Sequence, residues 1–374
     1  MSRIPQLDAL RGFALCGIVL ANIQWFCGYA VDPSPAKDVW GLDYAVSFAL
    51  HVFVDGKFYG LFSLLFGASF ALMIDRERAR GADAGGLARR RIASLGVLGV
   101  LHATLLWFGD ILSLYAVAAL PLWWILRARP RHAAVTAIAL LASPALLGLV
   151  LAACVDVPVP ALIHGPREAL PAFAAGSAGA LLDANADFLA QRWVLALASG
   201  RLPRLLGSFV LGALLIRHRP TFSRRGWVGL VSVAVSCNVA LGLLPGAPPL
   251  PPSTLGVARI AVECVAIPTG ALVYAGLGGR LFARPSRWTS AFAAAGRLSL
   301  THYLAQSLMM AGIFYGVGLG HWGRLGAAES VAAGLGIACV QVGISPWIRA
   351  RWGVGPGERA LRWLSGRRRP SPLA

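Results

Sequence analysis

IASLGVLGVLHATLLWFGDILSLYAVAALPLWWIL, residues 92–126, is an apolar run too long for one membrane helix, and Gly109-Asp110 breaks it near its middle. A bilayer core about 30 Å thick takes roughly 20 residues of helix. The run therefore reads as two antiparallel helices joined by a tight turn at Gly109-Asp110 and closed by the basic RARPRH of 127–132. The same criterion, carried outward, finds apolar runs at 12–30, 58–74, 133–154, 227–244, 256–277, 291–316 and 328–348. A shorter one at 205–216 belongs to a helix that starts earlier. The expected fold is all-α, a polytopic transmembrane helical bundle of about ten spans.

Composition excludes a soluble globular chain. Of 374 residues 57% are hydrophobic and only 13% charged, and the mean hydropathy is +0.66. A soluble domain is about a quarter charged and cannot hide this much apolar surface in one core. The formal charge of +18 and pI near 11.0 raise nucleic acid as a partner. Placement argues against it, because the basic residues, nearly all Arg, stand in short clusters between apolar runs. The partners expected instead are the lipid bilayer and anionic lipids at its cytoplasmic face.

Charge also orients the chain. With the N-terminus inside, segments 1–11, 75–91, 127–132, 217–225, 278–290 and 349–374 are cytoplasmic and hold 25 of the 34 Lys and Arg residues. The external segments hold seven, and Arg259 and Arg297 fall within spans. That asymmetry is the positive-inside pattern, with both termini cytoplasmic in a multi-pass protein of the cell inner (plasma) membrane. The first run lacks a small-x-small cleavage site and reads as an uncleaved helix, not a removed signal peptide. Amphipathic residues 39–54 suit an interfacial helix. Residues 155–204, with Pro158, Pro160, Pro166 and Pro171, read as a long external loop, and 349–374 as a basic cytoplasmic tail. No repeat is evident, so 1–374 reads as a single integral membrane domain.

Six cysteines (Cys16, Cys27, Cys154, Cys237, Cys264 and Cys339) lie in or beside apolar runs without a C-x-x-C pair, so no metal site is expected. Gly56-Lys57 lacks the upstream glycine and following Ser or Thr of a P-loop, and no Gly-x-Ser-x-Gly elbow appears.

Ionisable residues inside the hydrocarbon cost several kcal/mol, about 2.5–3.5 on the lowest scale, and so carry information. Asp8 and Arg11 share a helix face at i,i+3 and suit a neutralising pair that seats the first helix. Arg259 and Glu263, at i,i+4, also neutralise each other. Arg297 has no acid one turn away on its own helix, so it needs an acidic partner helix or an anionic ligand. His102 lies within an apolar run eight residues before Asp110, about 12 Å along one helix axis. Two readings stand for it: a histidine hydrogen-bonded between helices, or a neutral imidazole that accepts a proton with the carboxylate beside it. Lys57 can snorkel to the external interface. His51 and His302 read as polar contacts between helices.

The opening RIPQLDALRGFALCGIVLANIQWF resembles the start of the YeiB-like family of bacterial inner-membrane proteins, a domain of unknown function. The likeness continues through GKFYGLFSLLFGASFAL at 56–72, LHATLLWFGDILSLYAV at 101–117, GRLSLTHYLAQSL at 296–308, IFYGVGLG at 313–320 and SPWIRARWGVGPGERALRWL at 345–364. Residues 130–290 match in hydropathy alone. The resemblance picks out Asp8, Arg11, Asn22, Lys57, His102, Gly109, Asp110, Arg297 and Gln306, and departs at His302, where the family pattern has Asn. The motif LDALRG is also similar to the first helix of membrane acyltransferases related to heparan-glucosaminide acetyltransferase.

That second likeness implies an acyltransferase that takes an acyl group from a cytoplasmic thioester donor and passes it to an envelope glycan or lipid. Acyl-CoA would be a donor substrate, not a permanently bound cofactor. Arg11 and Arg297, with Asp8, would bind donor phosphates, while His102, Asp110 and Lys57 would activate the acceptor. Asn22, Arg259, Glu263, His302 and Gln306 are the remaining polar groups in the bundle. Two other classes use the same residues: a transporter or exporter of a small organic solute, and a non-catalytic scaffold in which they tie helices together.

Overall fold

The computed structural model describes residues 4–29, 41–154, 170–243 and 254–366, and all regular structure among them is α-helical. Helix α1 (Pro5–Phe26) opens on a proline, whose missing N–H costs nothing in a first turn. Helices α2 (Leu42–Phe53) and α3 (Lys57–Ala79) meet at Gly56, whose φ of +79° disfavours any side chain. Helix α4 (Ala84–Leu105) is capped by Asp83, which accepts the Gly86 N–H at 2.7 Å. Next come α5 (Leu112–Ala119), α6 (Leu122–Ile125) and α7 (Pro130–Cys154). Helices α8 (Leu170–Ala174), α9 (Ala178–Ala198) and α10 (Arg201–His218) follow, with a 65° bend between the last two. The chain continues as α11 (Arg224–Leu243), α12 (Thr254–Leu281), α13 (Arg287–Arg297), α14 (Ser299–Phe314), α15 (Ala327–Trp352) and α16 (Pro356–Leu364).

The described part of each apolar run is mainly helical, though not always as one straight rod. Among the described residues six helical stretches are long and apolar enough to cross a membrane, or seven if the bent α9–α10 pair counts as one. The protein is a helical membrane protein. The turn at Gly109-Asp110 lies where the sequence puts it, between α4 and α5. Two runs are interrupted: Pro121 separates α5 from α6, and Leu298 separates α13 from α14. Segment 155–204 differs more from its reading as a loop, since its described part holds α8, α9 and the start of α10. Four of its five prolines lie before 172 and the fifth, Pro203, sits in the first turn of α10, whereas Leu181, Ala184 and Phe188 bury one helical stripe.

Named contacts fix the relative directions of the helices. Helices α3 and α10 run parallel, in contact at Tyr59 and Arg201, at Phe66 and Phe209, and at Asp75 and Arg217. Helix α14 runs parallel to α1, with Gln306 reaching the Leu15 carbonyl and Tyr315, just past α14, stacked on Phe26. Helix α15 returns against α14, through Gln341 on Gln306 and Ser345 on His302. The directions bring Arg11, Arg76, Arg91, Arg297, Arg349 and Arg362 together at one end of the bundle, around a single cavity. Small residues permit the closest approaches. Gly67 faces the Phe209 carbonyl and Gly212 the Leu64 carbonyl at the α3–α10 crossing, with Gly12 and Gly296 doing the same for α1 and α13. On the outside, Val135, Ile138 and Leu146 of α7 remain 66%, 68% and 64% exposed, as a lipid-facing surface would.

Candidate functional site

His102 sits on the last turn of α4, and its carbonyl accepts the N–H groups of Leu106 and Trp107 at 3.0 and 2.9 Å as the helix ends. The chain then folds back at Gly109, where a Cβ would collide with the Trp107 ring. Asp110 comes to rest at the start of α5. Its carboxylate accepts the backbone N–H of Leu112 at 3.0 Å and of Ser113 at 2.7 Å, and so caps the start of α5. Gly99 on α4 makes room, since a Cβ there would lie 2.8 Å from Asp110 Oδ2.

The imidazole of His102 stands between two partners. Its Nδ1 is 3.0 Å from Asp110 Oδ1, and its Nε2 is 2.8 Å from Ser307 Oγ on α14. With Asp110 as the acceptor, Nδ1 carries the proton and Nε2 offers its lone pair to the Ser307 hydroxyl. Neither the His102 nor the Asp110 side chain has any solvent exposure. Tyr303, one turn before Ser307, packs on the imidazole with ring centroids 4.9 Å apart. Its hydroxyl accepts the Ile111 N–H at 3.1 Å and lies 3.5 Å from Asp110 Oδ1. From α9, Arg192 donates to the Asp110 carbonyl through Nε (3.2 Å) and Nη2 (2.9 Å). Asn185 accepts the Phe108 N–H at 3.1 Å. The turn is thus clamped from three helices.

A cavity of about 310 Å³ approaches this cluster from the arginine-rich end. Its mouth is lined by the six arginines named above, with Asp8 and Glu358 as the acids. Its inner wall is apolar and includes Phe62, Phe66, Leu95, Ile111, Leu112 and Tyr303. Both acids are already engaged. Asp8 accepts from Arg11 at 3.0 Å and from Arg297 at 3.1 Å. Glu358 accepts from the N–H groups of Leu300 and Thr301 at 2.8 and 3.2 Å and from the Thr301 hydroxyl at 2.6 Å, capping the free start of α14. The mouth therefore presents a net positive lining beside a helix break.

The remaining polar residues fall into separate groups. Lys57 is not at the His102 cluster; its Nζ donates to the His51 carbonyl, and Asp55, Glu263 and Arg259 are its charged neighbours. Glu263 binds Arg259 at 3.5 Å, as the i,i+4 spacing suggests, and also Arg204 of α10 at 3.0 Å. His302 meets Ser345 at 2.6 Å, and Gln306 donates to Gln341 at 2.7 Å, so both stitch α14 to α15. Asn22 is half-buried on α1, away from these groups in sequence. Among the described residues no three His, Cys, Asp or Glu side chains converge as a metal set would.

Residues 211–368 match a family described as "Protein of unknown function (DUF418)". Over 403 aligned residues the chain is 27% identical to the "Uncharacterized protein YxaH" of Bacillus subtilis (strain 168), covering 97% of this chain and 95% of that one. It is 29% identical over 353 residues to the "Uncharacterized protein YeiB" of Escherichia coli (strain K12), covering 87% of each. A 118-residue stretch is 41% identical to an "Uncharacterized 39.9 kDa protein in amylase 3'region" of Bacillus acidopullulyticus, covering 32% of each chain. No solved structure matches. Two of these likenesses run through nearly the whole chain, so along its length the protein resembles the YeiB-like proteins.

Proposed function

We propose that the protein is a ten-span acyltransferase-like enzyme of the bacterial inner membrane, with both termini in the cytoplasm. It takes an acyl group from a cytoplasmic thioester donor and passes it to a hydroxyl or amine of an envelope glycan or lipid. The carrying observation is the cavity whose arginine-lined mouth leads to an apolar wall formed by Ile111 and Tyr303, the immediate partners of Asp110 and His102. Guanidinium groups suit the phosphates of a donor such as acyl-CoA, and anionic lipid head groups at the same face. A neutral imidazole oriented by a carboxylate suits proton abstraction from an attacking group. Two observations support the topology: the Lys and Arg asymmetry between alternate segments and the directions of α1, α14 and α15, the first two parallel and the third reversed.

Incubation of the purified protein in lipid nanodiscs with radiolabelled acetyl-CoA and an envelope extract tests the reading. Label transferred to an extract component is the expected result; an extract that stays unlabelled beside a folded protein overturns it. The helix broken at Leu298, next to the cavity mouth, favours a second reading as a transporter, since broken helices line many transport sites. Solute uptake by the same protein without covalent label would select that reading.

A further inference from the structure

We propose that Ser307 is an acyl-accepting nucleophile, so that transfer proceeds in two half-reactions through an acyl-serine on α14. This rests on the acyl-transfer reading above and adds a covalent step to it. A serine hydroxyl is a weak nucleophile unless a base takes its proton and a third group orients that base. All three parts are present. Ser307 Oγ lies 2.8 Å from His102 Nε2, and His102 Nδ1 lies 3.0 Å from Asp110 Oδ1. The order nucleophile, imidazole, carboxylate is the geometry by which such triads are recognised on unrelated folds, whatever their sequence order.

A packing role explains the arrangement less well. A serine within a membrane helix satisfies itself by donating to the carbonyl four residues back, and Ser307 has that option only at 3.5 Å, to Tyr303. Its shorter bond goes to the imidazole. Asp110, for its part, is held by two backbone N–H groups, and Arg192 fixes its carbonyl. Three helices and a capped turn thus orient one imidazole toward one hydroxyl.

In the first half-reaction the Ser307 proton moves to His102 Nε2 as Oγ attacks the thioester carbonyl. The Oγ–C bond forms, the C–S bond breaks, and the sulfur leaves as the thiol with the proton from Nε2. In the second, the acceptor's hydroxyl or amine gives its proton to Nε2 and forms its bond to the acyl carbon. The C–Oγ bond breaks and Ser307 recovers the proton. Asp110 stays ionised and stabilises the imidazolium in both halves. Ser307 is fully buried, and Tyr303, which lines the cavity, packs against the His102 ring with the two planes tilted by 43°. Acylation of Oγ therefore requires the Tyr303 ring to move aside.

Two probes test Ser307 with the full-length protein in nanodiscs. An alkyl fluorophosphonate reports an activated serine regardless of the natural donor, and acetyl-CoA without acceptor reports the acyl-enzyme. Peptide mapping by mass spectrometry should place both adducts on Ser307. Ser307→Ala should remove them, and His102→Ala should slow their formation by about 10²-fold or more while size-exclusion behaviour stays unchanged. Absence of both adducts from the folded wild-type protein would overturn the proposal. So would a Ser307→Ala variant that transfers label to the extract at the wild-type rate, which would leave direct transfer standing. Fluorophosphonate on Ser307 with no acyl transfer to any acceptor would keep the nucleophile and overturn the acyl-transfer reading instead.

Discussion

Arg297 donates from Nε to Asp8 Oδ2 across 3.1 Å, tying the end of α13 to the first turns of α1. The acidic partner that Arg297 lacks on its own helix is therefore the same carboxylate that neutralises Arg11. Asp8→Ala leaves two guanidiniums side by side and should destabilise by about 1.5–3 kcal/mol, the range for hydrogen bonds to charged groups. Arg297→Lys should recover only part of the contact, because an ammonium lacks the planar fork. Thermal unfolding in matched detergent for Asp8→Ala, Arg297→Lys and the double variant checks this. Strict additivity would show that the two residues do not interact.

Glu358 should hold the C-terminal helix onto the break at Leu298. Glu358→Ala removes the acceptor for two backbone N–H groups and one hydroxyl, so it should cost about 1–3 kcal/mol. Glu358→Gln keeps one carbonyl oxygen and should cost less. Melting temperature and the rate of limited proteolysis after α15 read the effect; equal behaviour of the two variants would deny the capping role.

At the α3–α10 crossing, Gly67→Ala places a methyl against the Phe209 carbonyl and Gly212→Ala places one against the Leu64 carbonyl. Backbone cannot move aside as a side chain can, so each should cost at least the roughly 1–3 kcal/mol of ordinary overpacking. Gly229→Ala on α11 meets nothing within 4 Å and should leave stability unchanged or slightly raised. Equal losses at all three positions would mean that the crossing is not close.

Topology is open to a direct reading. Alkaline phosphatase fused after Asp156 or Pro248 should be active, and fused after Arg90 or Arg287 inactive. The opposite pattern at two of these sites would overturn the ten-span arrangement.

The sequence made the helical runs legible because lipid demands long apolar segments, and it brought His102 to Asp110 because both flank one short turn. Partners distant in the chain left no such mark. Ser307 lies 205 residues from His102 and Arg192 lies 82 from Asp110, and a serine in a membrane helix ordinarily reads as self-satisfied. Ser307 and Tyr303 both fall within GRLSLTHYLAQSL, whose spacing of four residues puts them on one face toward His102. Lys57 was the reverse case. It shares the external half with His102 along the sequence, yet α3 turns it toward Asp55 and Glu263. The helix at 178–198 stayed hidden because the prolines before it set the tone of the whole segment.

His102 carries the central claim, and activity per folded molecule tests it most directly. Acyl transfer is measured for the wild-type protein, His102→Ala and Asp110→Asn, each normalised to the monodisperse peak from size-exclusion chromatography. Loss of a general base typically costs about 10²–10⁴ in rate, more than a modest packing defect would. His102→Ala should fall in that range while abundance and melting temperature stay near wild type. Asp110→Asn should fall less, since the amide keeps a hydrogen bond but loses the charge that steadies the imidazolium. Unchanged specific activity in His102→Ala, whatever happened to yield, would contradict the account.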